Sequence, residues 1–473
     1  MLLKPFRHQF SRQKTFIWFC VVILGFILRV DHYGVSSFVR WLGLMPSAYH
    51  SLIHFFHAES WSLGELMLQW MRWCREYFQL VEVKGRLVCV GDGIKVSKES
   101  QQQPGLKWLY NSSQNQNKPK HIRGHHFGCI AFIATRRKTY RAILQAAQLH
   151  EGVEALRKME AVENEAIYSK ESIVVRMLSL LVIVAIRQGK PLYGCLDAYF
   201  STTPAFLYAA SFLMDDGQPW VQLITRAKKS YVAYPLIPKG KKKPVTFKLF
   251  SLFQHKNWFE SAPHPLHPER NVSFYYEDLY WGKQALLIRF VWVVDEGRRF
   301  ILMSSDCHLD PLEILKIYGL RTQIEVAFRV LKHIIGGFCY RFWTKSYSPT
   351  KEKELSPEWT KDNPVAQNAL KTLRAIERFV NLGIVAQGIL SYFALIKTEV
   401  IWKLHYSSSW LRSYSSSIPS EEVVQRIFQM NFSRRIVTTS LSLWLKIYQI
   451  RPSKKIKDKK VLKITTLPHF LSG

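Results

Sequence analysis

Apolar positions run along this chain in two rhythms. Over residues 1–80 they gather at 16–28, 36–44 and 62–80 with polar or Gly/Pro breaks between them, which predicts a helical region. From residue 86 the text changes to RLVCVGDGIKV, a β-branched run of the kind that forms a buried strand, and FGCIAFIAT over 127–135 reads as a second. A helical stretch at about 171–188 precedes PLYGCLD, a strand ending on Asp197, and helical character returns over 202–214. Strands alternating with helices imply an α/β core. Residues 219–305 give short β-like runs (WVQLITRA, VTFKLFSLF, VSFYYEDLY, ALLIRFVWVVDE, FILMSS), which predicts a β-rich insertion. One continuous helix is expected over 310–335, with Asp310 as its cap and Pro311 at the first helical position. Another apolar helix is expected near 365–396, and the tail from Arg451 is basic.

Charge narrows the function. The 473 residues carry 66 Lys and Arg against 35 Asp and Glu, a formal charge of +31 spread along the sequence. A polyanionic partner follows, bound in a salt-dependent way. An anionic membrane surface is the competing partner, and the run FIWFCVVILGFIL at 16–28, flanked by Lys14 and Arg29, is the segment that would favour it. Thirteen residues of helix span only about 20 Å, short of a hydrocarbon core of about 30 Å. Arg29-Val30-Asp31-His32 follows in place of a small-residue cleavage site, so a buried helix and no membrane are expected. Seven cysteines without a CxxC pair read as thiols in a reducing cytoplasm. Arg and Trp interleave over residues 1–80, a pattern shared by a helical DNA-holding module and by an ordinary bundle with a solvated basic face.

The chemistry centres on carboxylates in apolar surroundings. Asp92 interrupts a hydrophobic strand and Asp197 ends another, positions that are costly unless the charge is paired or metal-bound. On the helix expected over 310–335, Tyr318, Arg321, Glu325 and Lys332 fall near one stripe, with Ile317, Leu320, Ile324, Phe328 and Leu331 on the apolar face. Alone, that stripe is equally a solvated face stitched by Arg321 and Glu325 at i, i+4. Together with the two aspartates, Glu325 would complete a set of oxygen ligands for two Mg²⁺ ions, with Mn²⁺ able to substitute. Arg321 and Lys332 would clamp phosphate oxygens and Tyr318 would donate a hydrogen bond. Arg123 and His125, in what reads as a basic loop ahead of the second strand, are further candidates for DNA contact.

The spacing Tyr318-x2-Arg321-x3-Glu325-x6-Lys332 resembles the YREK signature of a large group of bacterial insertion-sequence DDE transposases. Asp92 in VGDGIKV and Asp197 in CLDAYFST match the family's first and second aspartates, and the KPKHIRGHHF and GGFCYRFW segments also look like family members. The resemblance implies a ribonuclease H-like mixed-sheet core (81–218 and 306–345) interrupted by the β-rich insertion (219–305). Helical regions flank it at 1–80, where DNA ends would be held, and at 346–473. It implies cut-and-paste transposition: metal-dependent cleavage at transposon ends and strand transfer into target double-stranded DNA. The catalytic and metal-binding residues would be Asp92, Asp197 and Glu325, in a cytoplasmic, nucleoid-associated protein that is dimeric on paired ends. A catalytically inactive, transposase-derived DNA-binding protein is the alternative.

Overall fold

The computed structural model describes residues 2–100, 103–110, 119–150, 172–236, 244–345, 364–408 and 417–438. The expected basic segments at 114–118, 239–243 and from 451 onward lie outside the described residues. Contacts divide the chain into two units, Met1–Gln429 and Met430–Gly473. Among the described residues the second unit holds only 430–438, the end of one helix.

The fold is mixed α/β, with helices at both ends of a mixed sheet. Strands β1 (Glu82–Val83), β2 (Arg86–Ser97), β3 (Lys107–Tyr110), β4 (His121–Arg136) and β5 (Thr139–Leu149) come first. They are followed by β6 (Leu192–Cys195) and β7 (Val221–Arg226). Five of these lie in the order β5-β4-β2-β6-β7, with β4 antiparallel to both β5 and β2, and β2, β6 and β7 parallel. A parallel step needs a crossover, and helix α5 (Ile173–Gln188) lies in the one that leads into β6. Ser172 caps α5 by accepting from the Val175 N–H, and Gly189 ends it in the left-handed conformation.

The insertion continues the same sheet. Strands β10 (Glu260–His264), β11 (His267–Trp281), β12 (Leu286–Asp295) and β13 (Arg298–Ser304) form an antiparallel meander, and β13 joins it to β7. The short pair β8 (Val232–Ala233) and β9 (Phe247–Lys248) stands beside it. Val221–Arg226, grouped with the insertion on sequence grounds, lies instead between β6 and β13, so the insertion leaves the core after residue 226. Pairing partners far apart in sequence decide that membership, and a local apolar run cannot display it.

Each face of the sheet has its own cover. Leu87, Cys89, Ile130 and Phe132 point toward α5 and toward helix α6 (Thr203–Ala210), where they share a core with Met177, Leu181 and Phe206. The cover approaches closely here: a Cβ on Gly91 would stand 2.6 Å from the Leu196 side chain, just after β6, and 3.3 Å from the Met177 sulfur of α5. Asp92 alternates to the other face, which is covered by α7 (Pro311–Leu320), α8 (Gln323–Arg329) and the 33-residue α9 (Pro364–Ile396).

Helix α9 is the spine of that second layer. Over it lie α1 (Gln13–Leu28) and α3 (Ala48–His57), with α2 (Val35–Trp41) beside α1 and α4 (Leu63–Tyr77) between α9 and β5. Phe26 of α1, Phe38 of α2, Phe56 of α3 and Phe379 of α9 form a buried aromatic cluster. The run at 16–28 is thus a buried helix. Among the described residues one helix, in α9, is long and apolar enough to cross a membrane, and 89% of its apolar window is buried inside the protein. Arg29 and Trp73, two of the interleaved residues, are also packing residues. Arg29 donates to the Ile335 and Gly336 carbonyls at 2.7 and 2.8 Å, and Trp73 stacks between Trp70 and Tyr77. Helices α10 (Thr398–Ser408) and α11 (Glu421–Thr438) follow.

Strand β5 has an open edge, and side chains close it. Asn381 of α9 accepts from the Ala147 N–H at 2.9 Å and donates to the Ala147 carbonyl at 2.8 Å. Glu377 accepts from the Leu149 N–H at 2.7 Å, and the Trp70 indole donates to the Leu144 carbonyl at 2.9 Å. Unpaired strand edges invite association with other chains, and here the backbone groups are occupied within the fold.

Candidate active site

Asp92, Asp197 and Glu325 arrive from three elements at one place. Asp92 lies in β2 opposite Cys129 of β4, and its Oδ1 accepts from the Gly93 N–H at 2.7 Å. Asp197 follows β6 and caps the short turn Ala198–Phe200, accepting from the Tyr199 N–H at 3.0 Å. Its carbonyl accepts from the Thr225 hydroxyl at 2.8 Å, which ties it to β7. The parallel pairing of β2 with β6 ends at Val90 and Cys195, and Asp92 and Asp197 each stand two residues beyond it, side by side.

The third element departs from expectation in a way that shapes the site. The helix over 310–335 is not continuous. Asp310 caps α7 as predicted, accepting from the Leu312 and Glu313 N–H groups, but α7 stops at Leu320 and α8 begins at Gln323. Between them the backbone tightens: Arg321, Ile324 and Glu325 each donate to the carbonyl three residues back. After α8 the chain widens into a π turn, Val330–Ile334, where Ile335 donates to Val330 five residues back. Arg321 therefore stands at a junction, and Lys332 on a π turn.

Arg321 is the hub. One terminal nitrogen reaches Asp92 Oδ2 at 3.2 Å and the other reaches Glu325 Oε1 at 3.2 Å. Its Nε is buried with no hydrogen-bond partner among the described residues. The Arg321 side chain is 15% exposed, that of Asp92 22% and that of Glu325 60%, so the site opens to solvent on the helix side.

Electrostatics follow from that packing. Burial, then the charge of Asp197, pushes the Asp92 carboxyl up to about 6, against the pull of the Gly93 N–H and Arg321. Burial also raises Asp197, although the Tyr199 N–H, Arg321 and Lys228 lower it. Burial raises the Tyr318 phenol to about 12, with Arg321 and Arg226 opposing. For Arg321 burial acts downward, but Tyr318, Asp92, Cys195 and Glu325 together outweigh it and raise the guanidinium.

The donor set is three carboxylates, which suits a hard divalent cation such as Mg²⁺ or Mn²⁺. Three negative charges around one guanidinium leave negative charge over, and at Asp92 the charges of Asp197 and Glu325 add to the larger effect of burial. As arranged, no three His, Cys, Asp or Glu side chains among the described residues form a chelating group, and Arg321 is what lies between Asp92 and Glu325.

The remaining candidates separate. Tyr318 joins the cluster, whereas Lys332 is exposed and makes no hydrogen bond or ion pair among the described residues. His125 is corrected outright. Residues 121–126 belong to β4, and His125 is fully buried beneath the segment that follows the π turn. Its Nε2 is 2.8 Å from the Pro104 carbonyl and its Nδ1 2.7 Å from the Tyr340 hydroxyl, so Nε2 donates and Nδ1 accepts. A neutral imidazole with both nitrogens occupied cannot also contact DNA. Arg123, two residues earlier, is half-exposed on the same strand. Sequence reasoning missed Arg226, exposed at the end of β7, and Lys228, exposed two residues beyond it, whose charges act on Tyr318 and Asp197. The basic text TRAKK after an apolar run was their only signal. All seven cysteines are free, four buried and three half-buried.

No protein-family model and no curated protein matches the sequence. Among solved structures, the NurA nuclease from Sulfolobus solfataricus is similar at 10% identity and a TM-score of 0.20, over 59% of this chain and 85% of that one.

Proposed function

We propose that the chain is a DNA phosphoryl transferase of the DDE transposase type, acting at transposon ends and on target DNA. The observation that carries the reading is the meeting of Asp92, Asp197 and Glu325 around Arg321 from two parallel strands and a helix. The strand order β5-β4-β2-β6-β7, with its senses, supports a ribonuclease H-like core. The charge of +31 supports a polyanionic substrate.

Asp92, Asp197 and Glu325 would hold divalent ions, which supply activation of the attacking oxygen and stabilisation of the leaving oxygen. Arg321 balances part of the carboxylate charge and is placed to turn to a phosphate oxygen when DNA enters, its unpartnered Nε adding a donor. Tyr318 keeps its proton at neutral pH and is a donor for the same phosphate. Arg226, Lys228 and Lys332 supply positive charge around the cluster. Pairing of two ends on a homodimer belongs to the same reading.

The test uses purified protein, Mg²⁺ and DNA carrying the sequences that flank the coding region. Cleavage at the flanks that is lost in Asp92→Asn supports the proposal. Binding without cleavage under these conditions would favour the inactive derivative instead.

A further inference from the structure

The short edge strand β3 bares two aromatic rings, with Trp108 63% and Tyr110 61% exposed. Trp108 is directly opposite Arg123 and Tyr110 opposite His121 in the antiparallel pair with β4. Opposite residues share a face, so the four side chains form one patch. The rings of Tyr110 and His121 touch, with centroids 5.6 Å apart at 69°. Arg123 makes no ion pair among the described residues.

The patch shares its face with the candidate active site. Asp92 is opposite Cys129, and alternation along β4 carries that face from 129 through 127 and 125 to 123 and 121. Phe338 covers Phe127, and Tyr340 covers His125. Beyond that cover the face reopens at Arg123. Six residues of strand separate Arg123 from Cys129, about 20 Å at 3.4 Å per residue, the length of about six nucleotides of DNA.

An exposed ring directly opposite an arginine needs a partner with an open π face and negative charge. Bases inside a duplex have both faces covered by their neighbours, whereas unpaired bases stack on aromatic side chains. We propose that this patch holds unpaired nucleotides of a DNA strand running to the active site, with bases on Trp108 and Tyr110 and a backbone phosphate on Arg123. The inference rests on the DNA-cleaving reading above and adds a preference for a strand that is locally unpaired.

The test compares a blunt duplex with the same duplex bearing a single-stranded tail of about eight nucleotides. The full chain is used as Asp92→Asn, so that cleavage does not intervene. The tailed duplex should bind more tightly. Adding Trp108→Ala should remove that advantage, a loss on the order of tenfold, and leave blunt binding unchanged. Trp108→Phe, which keeps a ring, should retain most of the advantage, and Tyr110→Ala should lose part of it. Because both positions are exposed, circular dichroism should show all variants folded. Equal binding of tailed and blunt DNA, or equal weakening of both by Trp108→Ala, overturns the patch while leaving the DNA-cleaving reading intact. Absence of any DNA binding overturns both. Conversion of a dimer to a monomer by Trp108→Ala, with tail preference unchanged, would make the patch a contact between copies and overturn the proposal.

Discussion

Two polar networks lie on the same face of the sheet and are built to opposite rules. Under α9, Asn381 and Glu377 meet backbone groups of β5 one for one, donor to acceptor, and close a strand edge. At the α7–α8 junction a single guanidinium serves Asp92 and Glu325 with Asp197 nearby, and it leaves Asp92 raised to about 6. A network that only holds the fold can be matched to fixed backbone dipoles. One that awaits a ligand keeps unbalanced charge and an exposed side, which is where perturbed groups mark function.

The largest effect that would break this contrast is at the carboxylates. Asp92→Asn, Asp197→Asn and Glu325→Gln should each lower strand cleavage by about 10³-fold or more, the several kcal/mol that metal ligation supplies. Thermal stability should hold or rise, because unmatched negative charge is removed. Near-normal cleavage by one variant in Mg²⁺ would take that residue out of the site. Arg321→Ala comes next: cleavage of matched ends should fall by the equivalent of about 1–3 kcal/mol, with a weakened salt dependence. Unchanged rates would reduce the Arg321 bridge to a structural tie.

Asn381→Leu should do the reverse. Leaving the Ala147 N–H and carbonyl buried without partners costs about 1–3 kcal/mol, read as a lower urea midpoint. Cleavage per folded molecule should stay within about twofold, as its partners are all on β5 and α9. If cleavage collapsed while the midpoint held, the two networks would be one.

The sequence showed the carboxylates better than their setting. Asp92 stands out because a charge interrupts RLVCVGDGIKV, and Arg321 with Glu325 because i, i+4 spacing is a local property. The break at Arg321–Thr322 and the π turn were hidden, since a change from i+4 to i+3 or i+5 bonding barely disturbs a helical pattern. The place of β7 was hidden for another reason: it depends on pairing with β13 across the whole insertion. His125 looked like a loop residue because what buries it, Tyr340, lies 215 positions away.

That histidine gives a pH test of the structural class of network. Burial is the main force holding His125 down to about 3, with Pro104 opposing and the charges of Lys98 and Lys107 adding to it; the neutral ring also meets the Tyr340 hydroxyl. A base whose folded value lies below its ordinary value near 6.5 binds fewer protons folded than unfolded. Its contribution is therefore complete above about pH 6.5 and is lost progressively as pH falls toward 3. The urea midpoint should drop between pH 7 and pH 5. His125→Gln, which cannot titrate, should flatten that slope. An unchanged slope would assign the acid sensitivity to His126 and His150, which burial also holds low.

The smallest effect concerns Lys332, the one member of the signature stripe that stands outside both networks. It is exposed on the π turn, beyond the Arg321 junction, and makes no hydrogen bond or ion pair among the described residues. Removing an exposed ammonium of this kind should change folding stability by no more than about 0.5 kcal/mol. If Lys332 meets a phosphate, Lys332→Ala should release about one fewer counterion on DNA binding, so the slope of log affinity against log salt should fall by about one. Affinity should then be a few fold weaker at low salt and nearly equal at high salt. A filter-binding series across salt concentrations reads this directly. An unchanged slope would make Lys332 part of a solvated helix face, and the stripe would shrink to Tyr318, Arg321 and Glu325, the three that the fold brings together.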